Sequence, residues 1–333
     1  MVKYIIKRLL LSIFIMVGVS MIIYFILRMM PMDFIDQKFA TLAGSSGMSE
    51  EKLQAMKEAY GLADNSFFGI LKGYFSWLWS FLQGDLGTSF KYSKPVSEVI
   101  VKNMGVSFGI SFVSLILELI IAVPLGVKCA VNQYGKLDYT ATVVCMTLMA
   151  FPTFFLGSLF ILLFVDTLGW FDPSLGIRSS TLPVGTSGWV LLGDTLWHLV
   201  LPMVVLVLLN VGSYMRYQRT NTLEVLNADY IRTARAKGLS EGKVVYKHVF
   251  RNTMIPLVTV MASALPMLFG GAMITETVFQ IPGIGKMTYD ALMEGDIPLA
   301  MGYNMFIAIL TVIGILLSDI MYAVVDPRVK LGK

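Results

Sequence analysis

Leu9-Leu10-Leu11-Ser12-Ile13-Phe14-Ile15-Met16-Val17-Gly18-Val19-Ser20-Met21-Ile22-Ile23-Tyr24-Phe25-Ile26-Leu27 is a run of nineteen residues without a charge. A helix rises ~1.5 Å per residue, so the run reaches about 28 Å, close to the ~30 Å hydrocarbon thickness of a bilayer. Inside hydrocarbon each backbone N–H and C=O must find its partner within the chain, which makes the run a membrane-crossing helix. Lys3, Lys7 and Arg8 precede it, as they would in a secretory leader. The run is long for a leader's apolar core, and no small-residue cleavage site follows, so it is read as the first span. Five further stretches have the same character: Met104 to Val127, broken only by Glu118, then Tyr139 to Val165, Thr195 to Met215, Asn252 to Thr275 and Ile297 to Ser318. The fold class expected is an all-α membrane protein with six transmembrane helices. Pro124, Pro152, Pro202 and Pro266 lie within these stretches. Each removes an intrahelical bond, so bends are expected there.

The composition agrees. Of 333 residues, 56% are hydrophobic and 14% charged, against ~25% charged in a soluble domain. Mean hydropathy is +0.72. These values exclude an ordinary cytosolic enzyme and a disordered chain. Two cysteines and two histidines exclude a disulfide framework and a Cys/His metal cluster, so no metal site is expected. Lys and Arg set the orientation. With the N-terminus inside, sixteen of the 26 basic residues fall on inner segments, eight of them between Arg216 and Arg251. The short outer loops hold only Arg178 and Lys286. Both termini are therefore expected in the cytoplasm.

Four regions follow: an N-terminal segment with the first span (1–30), an extracytoplasmic segment (31–103), a five-helix core (104–325) and a tail (326–333). In the second region, Ser49 to Gly61 has the punctuation of a helix: Ser49 to cap it, Glu50 and Glu51 in its first turn, Gly61 to stop it. Phe67 to Leu82, rich in Phe, Trp and Tyr, is expected to lie as a helix at the membrane interface. Gly84-Asp85-Leu86-Gly87-Thr88-Ser89 then turns the chain. The inner loop 216–251 reads as two short helices, one from about Ala228 to Lys237, stopped by Gly238, the other capped by Ser240 and running towards Arg251. Positive-inside topology accounts for the loop's charge but not for its length or punctuation. A structured element without a core of its own points to docking on another protein.

Asp229-Tyr230-Ile231-Arg232-Thr233-Ala234-Arg235-Ala236-Lys237-Gly238-Leu239-Ser240 resembles the cytoplasmic signature of ABC importer permeases, and most closely that of the B-type subunit of oligopeptide and dipeptide permeases. Gly61-Leu62, Gly84 to Ser89, Pro95-Val96, Glu276-Thr277-Val278-Phe279-Gln280-Ile281-Pro282-Gly283-Ile284-Gly285 and Asp326-Pro327-Arg328-Val329 resemble further segments of that family, in order, over essentially the whole chain. The general signature begins Glu-Ala-Ala, where this chain has Arg232, Thr233 and Ala234, and its proline is displaced to Pro256. The resemblance implies a type I ABC importer-like permease forming half of a translocation pore for di- or oligopeptides. The same machine importing nickel or metal chelates, glutathione or oligosaccharides is the alternative cargo. An autonomous ion-coupled secondary transporter is the alternative of another class.

The resemblance also implies partners: a homologous second permease subunit, two ATPase subunits carrying ATP and Mg, an extracytoplasmic substrate-binding protein and the lipid bilayer. No nucleic acid is expected. In the family the signature loop is a coupling helix seated in a groove of the ATPase. That role carries over to Asp229, Tyr230, Arg232, Thr233, Ala234, Arg235, Ala236, Lys237, Gly238 and Leu239. Small Ala234 and Ala236 would permit close approach, and Gly238 a sharp exit at positive φ.

Glu118 stands inside the second span, where an acid is expensive. It is either a residue of the translocation path or the partner of a neighbouring helix. Glu276, near the outer end of the fifth span, either orders an outer gate or caps a helix end. Gly105 and Gly109 form a small-residue pair that could be a packing face. Gly283-Ile284-Gly285-Lys286-Met287 is not a phosphate loop, because Gln280 stands where its first glycine is required and Met287 where Ser or Thr would bind the metal. The chain is therefore expected to have no nucleotide site, no catalytic residue and no cofactor of its own.

Overall fold

The computed structural model of the chain describes residues 2–29, 64, 66–183 and 185–325. Among them all regular elements are helical, and one isolated bridge joins Thr88 to Pro95. The helix expected at 49–61 and the tail motif at 326–329 lie outside the described residues. In chain order the helices are α1 Val2–Arg28, α2 Phe67–Leu82, α3 Val96–Val131, α4 Lys136–Ala150 and α5 Thr153–Phe160, which continues as a π-helical stretch Ile161–Thr167. Then come α6 Gly188–Leu226 and α7 Asp229–Ala236. A turn Glu241–Lys243 and a second π stretch Val244–Val249 lead into α8 Phe250–Ser263. The last are α9 Leu265–Gly270, α10 Met273–Val278, α11 Ile284–Met293 and α12 Ile297–Val325. A helix with the bounds expected, Phe67–Leu82, is found.

Among the described residues four helices are long and apolar enough to cross a bilayer: Ile6–Arg28, Val96–Val131, Gly188–Leu226 and Ile297–Ile320. Lys136–Ala150 and Thr153–Thr167 make a fifth crossing if counted as one span, bent by 97°. That bend falls at Phe151–Pro152, where Pro152 is the N-cap of α5. The remaining expected span, the fifth in chain order at 252–275, is not one continuous helix. It stops at Ser263, restarts at Leu265 with Pro266 in its first turn, and breaks at Gly271, whose φ of +73° no right-handed helix accommodates. By contrast, α3 and α6 run through Pro124 and Pro202 without interruption. At ~1.5 Å per residue α6 is about 58 Å long. It outruns the hydrocarbon and carries Arg216 to Leu226, the first part of the loop expected there, as continued helix.

The described residues fall into two compact units, one within Met1–Gly105 and Met287–Val312, the other within Val106–Lys286 and Ile313–Leu331. In the first, α1 and α2 pack through Tyr24, Leu27 and Tyr74, joined by Phe90, Ile297, Ala300 and Met301. Tyr74 Oη donates to the Val17 carbonyl at 3.0 Å and lies 2.9 Å from Ser20 Oγ. Asp296 fastens the turn before α3: its carboxylate accepts from Ser89 Oγ at 2.6 Å, the Lys91 N–H at 3.1 Å and the Leu299 N–H at 3.2 Å. Lys91 Nζ adds ion pairs to Glu294 at 2.8 Å and Asp290 at 3.4 Å. Burial alone would lower the Lys91 pKa, but the Glu294 hydrogen bond and the two neighbouring carboxylates raise it. The folded value therefore lies above the unfolded ~10.4. The stability from this pairing is fully present below ~10.4 and is lost as pH rises through the folded value.

In the second unit, glycines set the helix crossings. A methyl group on Gly126 of α3 would fall 2.6 Å from the Met215 carbonyl oxygen of α6, and one on Gly212 would fall 2.7 Å from Met149 Sδ of α4. The pair expected to pack, Gly105 and Gly109, has no atom within 4 Å of either added methyl, so neither marks a close crossing. Cys129 and Cys145 are free, buried among Ala122, Val211 and Met215. Asp138, at the start of α4, receives Arg219 of α6 through two bonds of 2.6 and 2.7 Å and also the Tyr134 N–H.

Gly126→Leu forces apart α3 and α6 and is expected to cost about 1–3 kcal/mol. It should lower the midpoint of thermal unfolding in mild detergent, whereas Gly109→Leu should leave the midpoint close to that of the parent chain.

Candidate functional site

The inner loop is built on a small core of its own. Ile231 and Ala234 of α7, three residues apart and so on one face, are buried with Val244 and Val249 of the π stretch. Val225, Leu226 and Leu239 close the cluster. Fully burying an isoleucine such as Ile231 is worth about 2 kcal/mol, enough to hold two turns of helix that would not persist alone. Arg235 closes the far side by donating from Nε and Nη2 to the two oxygens of Glu241, at 2.8 and 3.2 Å. Gly238 leaves α7 at a φ of +81°, as its type required, with open space around it. Ser240 occupies the cap position before Glu241, but its hydroxyl makes no capping bond.

The opposite face is presented outward. Asp229, Arg232, Thr233 and Ala236, spaced i, i+3, i+4 and i+7, are all exposed, flanked by Tyr230 and Lys237. Arg232 has only Asp229, at 3.6 Å and on the surface, as its ion-pair partner among the described residues. Ala234 departs from expectation. It faces the loop's own core, so the small residue left on the outward face is Ala236. Beneath the loop, Gln218 of α6 donates to Thr253 Oγ1 of α8 at 2.8 Å, and both residues are fully buried.

Glu276 forms the second constellation. It is 1% exposed. Oε1 accepts from Ser107 Oγ of α3 at 2.6 Å and from the Ala272 N–H at 3.2 Å. Oε2 accepts from the Lys286 N–H at 2.9 Å. Ser107 Oγ in turn accepts from the Ile284 N–H at 2.8 Å. Three glycines make room: a methyl on Gly283 would overlap the carboxylate, one on Gly271 would lie 2.7 Å from Oε1, and one on Gly285 2.9 Å from Oε2. One carboxylate thus caps α10 from within its first turn and ties the Phe279–Gly285 turn to α3.

Glu118 is buried on α3, with Asn210 and Tyr214 of α6, one helical turn apart, as its polar neighbours. The residues that sequence reading did not single out are Ser107, Asp138, Gln218, Arg219 and Thr253. Each is a polar residue in or at the edge of an apolar stretch. That was the available signal, but it does not name the partner. Among the described residues no group of His, Cys, Asp or Glu could hold a metal ion.

Residues 122–331 match the family described as binding-protein-dependent transport system inner membrane component. Over 331 residues, 99% of this chain, the sequence is 37% identical to the full length of the oligopeptide transport system permease protein AppB of Bacillus subtilis. It is 32% identical over 99% of both chains to the dipeptide transport system permease protein DppB of Escherichia coli.

Glu276→Ala removes the acceptor of three donors and is expected to cost about 3 kcal/mol, Ser107→Ala about 1 kcal/mol. Thermal unfolding, with limited proteolysis at 279–285, should rank them in that order.

Proposed function

The chain belongs to the family of binding-protein-dependent transport system inner membrane components, and from that membership we propose that it is one half of the pore of an ATP-driven peptide importer. The membership itself makes it a multi-pass membrane permease subunit of an ABC transport system. The peptide cargo rests on relatives named as oligopeptide and dipeptide permease proteins over the whole chain. Its partners are a second, homologous permease, two ATPases that bind ATP and Mg, and an external binding protein that delivers the peptide.

The observation that carries the coupling role is the two-faced construction of α7. Its apolar face is spent inside the loop, and its polar face, with Arg232, Thr233, Ala236 and Lys237, stays exposed among the described residues. An ATPase groove with acidic margins fits that face. Gly238 fixes the exit of the chain, and the Gln218–Thr253 bond makes loop and membrane helices move as one body. Closure of two ATPases then rocks the helices by rigid-body rotation. Glu276 holds the turn on the outer side in shape. We assign Glu118 to helix pairing with Asn210 rather than to the peptide path.

Ala236→Trp combined with Arg232→Glu alters only exposed positions. The variant should insert and fold normally yet lose co-purifying ATPase and peptide uptake by tenfold or more, on the order of 1.4 kcal/mol. Undiminished ATPase binding would refute the docking face. Uptake of a labelled tripeptide, competed by peptides of increasing length, by glutathione, by nickel chelates and by oligosaccharides, tests the cargo. Competition by peptides alone is the expected result.

A further inference from the structure

The first unit holds a cavity of about 270 Å³ that none of these roles uses. Tyr24 of α1, Ser76, Trp77 and Ser80 of α2, Asp85 of the following turn and Pro298 of α12 contribute to its wall. Tyr24 Oη and Trp77 Nε1 are buried without a hydrogen-bond partner, and so is Arg28 Nε, one turn beyond Tyr24 on α1. Among the described residues eight buried side-chain polar atoms lack a partner, and two of them belong to residues that line this cavity. Both carry hydrogen and can donate. Unmade bonds of this kind are costly and rare in native proteins. Small rotations of two rings on the cavity wall would offer Oη and Nε1 to an acceptor inside it. Two neutral donors match an anionic oxygen group, and Arg28, which donates from Nη2 to the Asp64 carbonyl at 2.8 Å, brings positive charge to the same end of α1. Asp85 adds a carboxylate on the same wall, suited to a cation at the other end of the same molecule.

The surroundings say where that molecule comes from. On α2, Phe67, Phe68, Phe75, Trp79 and Leu82 are exposed, as are Ile22 and Ile26 on α1. Large apolar side chains are stable in that state when they face lipid tails. Tyr24 stands near the end of α1 that the Lys and Arg distribution places outside. We propose that this cavity is a binding site for the headgroup of an outer-leaflet phospholipid of the phosphoethanolamine class. Its phosphate is held by Tyr24 and Trp77, its ammonium by Asp85, and its tails lie along the exposed faces of α1 and α2. The proposal uses only the packing of this unit and does not depend on the transported cargo.

The test is native mass spectrometry of the full-length chain, with whatever subunits accompany it, released from nanodiscs of equal parts phosphatidylethanolamine and phosphatidylglycerol. The parent protein should retain phosphatidylethanolamine selectively. Tyr24→Phe with Trp77→Phe should reduce that retention about tenfold, and Asp85→Asn should abolish the preference over phosphatidylglycerol. Equal retention by parent and double variant would overturn the proposal. So would displacement of the lipid by a soluble dipeptide or by inorganic phosphate, since either would make the cavity a site for a soluble ligand. Should the double variant fail to fold, a photoreactive phosphatidylethanolamine applied to the parent protein decides. Cross-links within 73–88 support the site, and cross-links confined elsewhere overturn it.

Discussion

A backbone amide in hydrocarbon has no water to turn to, and the rest of this structure follows from that constraint. Along α1, α3, α6 and α12 the helix itself supplies most partners, Pro124 and Pro202 each omitting one bond. Near 271–286 it does not. Gly271 leaves the helical region of φ,ψ space, and the amides of Ala272, Ile284 and Lys286 are left without the helical acceptor they would otherwise have. Glu276 and Ser107 take over, and between them they accept from all three amides. A charged residue that would be a liability on a lipid-facing helix is here the substitute for missing helix. Glycine at 271, 283 and 285 is the steric condition for it, since a side chain at any of these positions collides with the carboxylate or its neighbours.

The same economy shapes the inner loop. Two turns of α7 cannot nucleate alone. They persist because Ile231 and Ala234 reach a cluster completed by the end of α6 and the π stretch. A helix anchored on one face presents the other in fixed orientation. The π stretch matters to this arrangement. It carries Val244 and Val249 into the cluster while its far end runs straight into α8. The cluster beneath α7 is thereby joined to α8 without a break in the helix between Val244 and Ser263.

In the first unit the outer turn is held by Asp296, which caps α12 and binds Ser89 and the Lys91 amide at once. Its role parallels that of Glu276. In both places a buried carboxylate organises a non-helical stretch by accepting from backbone amides, and in both a serine hydroxyl supplies one of the bonds. Tyr24 Oη, Arg28 Nε and Trp77 Nε1 are the counterexample, buried donors for which no acceptor is found among the described residues.

The sequence by itself determined the solvent in which this protein folds. Charge-free runs of nineteen residues or more admit only helices, and the Lys and Arg imbalance orients them. It also determined the helix at Phe67–Leu82, the stop at Gly238 and, through ordered motifs along the whole chain, the family. Tertiary structure decided which polar residues meet. Asp138 with Arg219, Gln218 with Thr253 and Ser107 with Glu276 are 81, 35 and 169 residues apart, and local periodicity says nothing at such separations. Tertiary structure also decided which glycines matter. Gly126 and Gly212 sit at crossings whereas Gly105 and Gly109 do not. Closeness of two helices is a property of their crossing point, which apolar patterning leaves undefined in a lipid solvent as apolar as the side chains themselves. The break at 264–271 is local instead, falling at Pro266, where the sequence predicts a bend, and at Gly271. Hydropathy sums over 252–275 without regard to φ, whereas Pro266 and Gly271 act through backbone geometry.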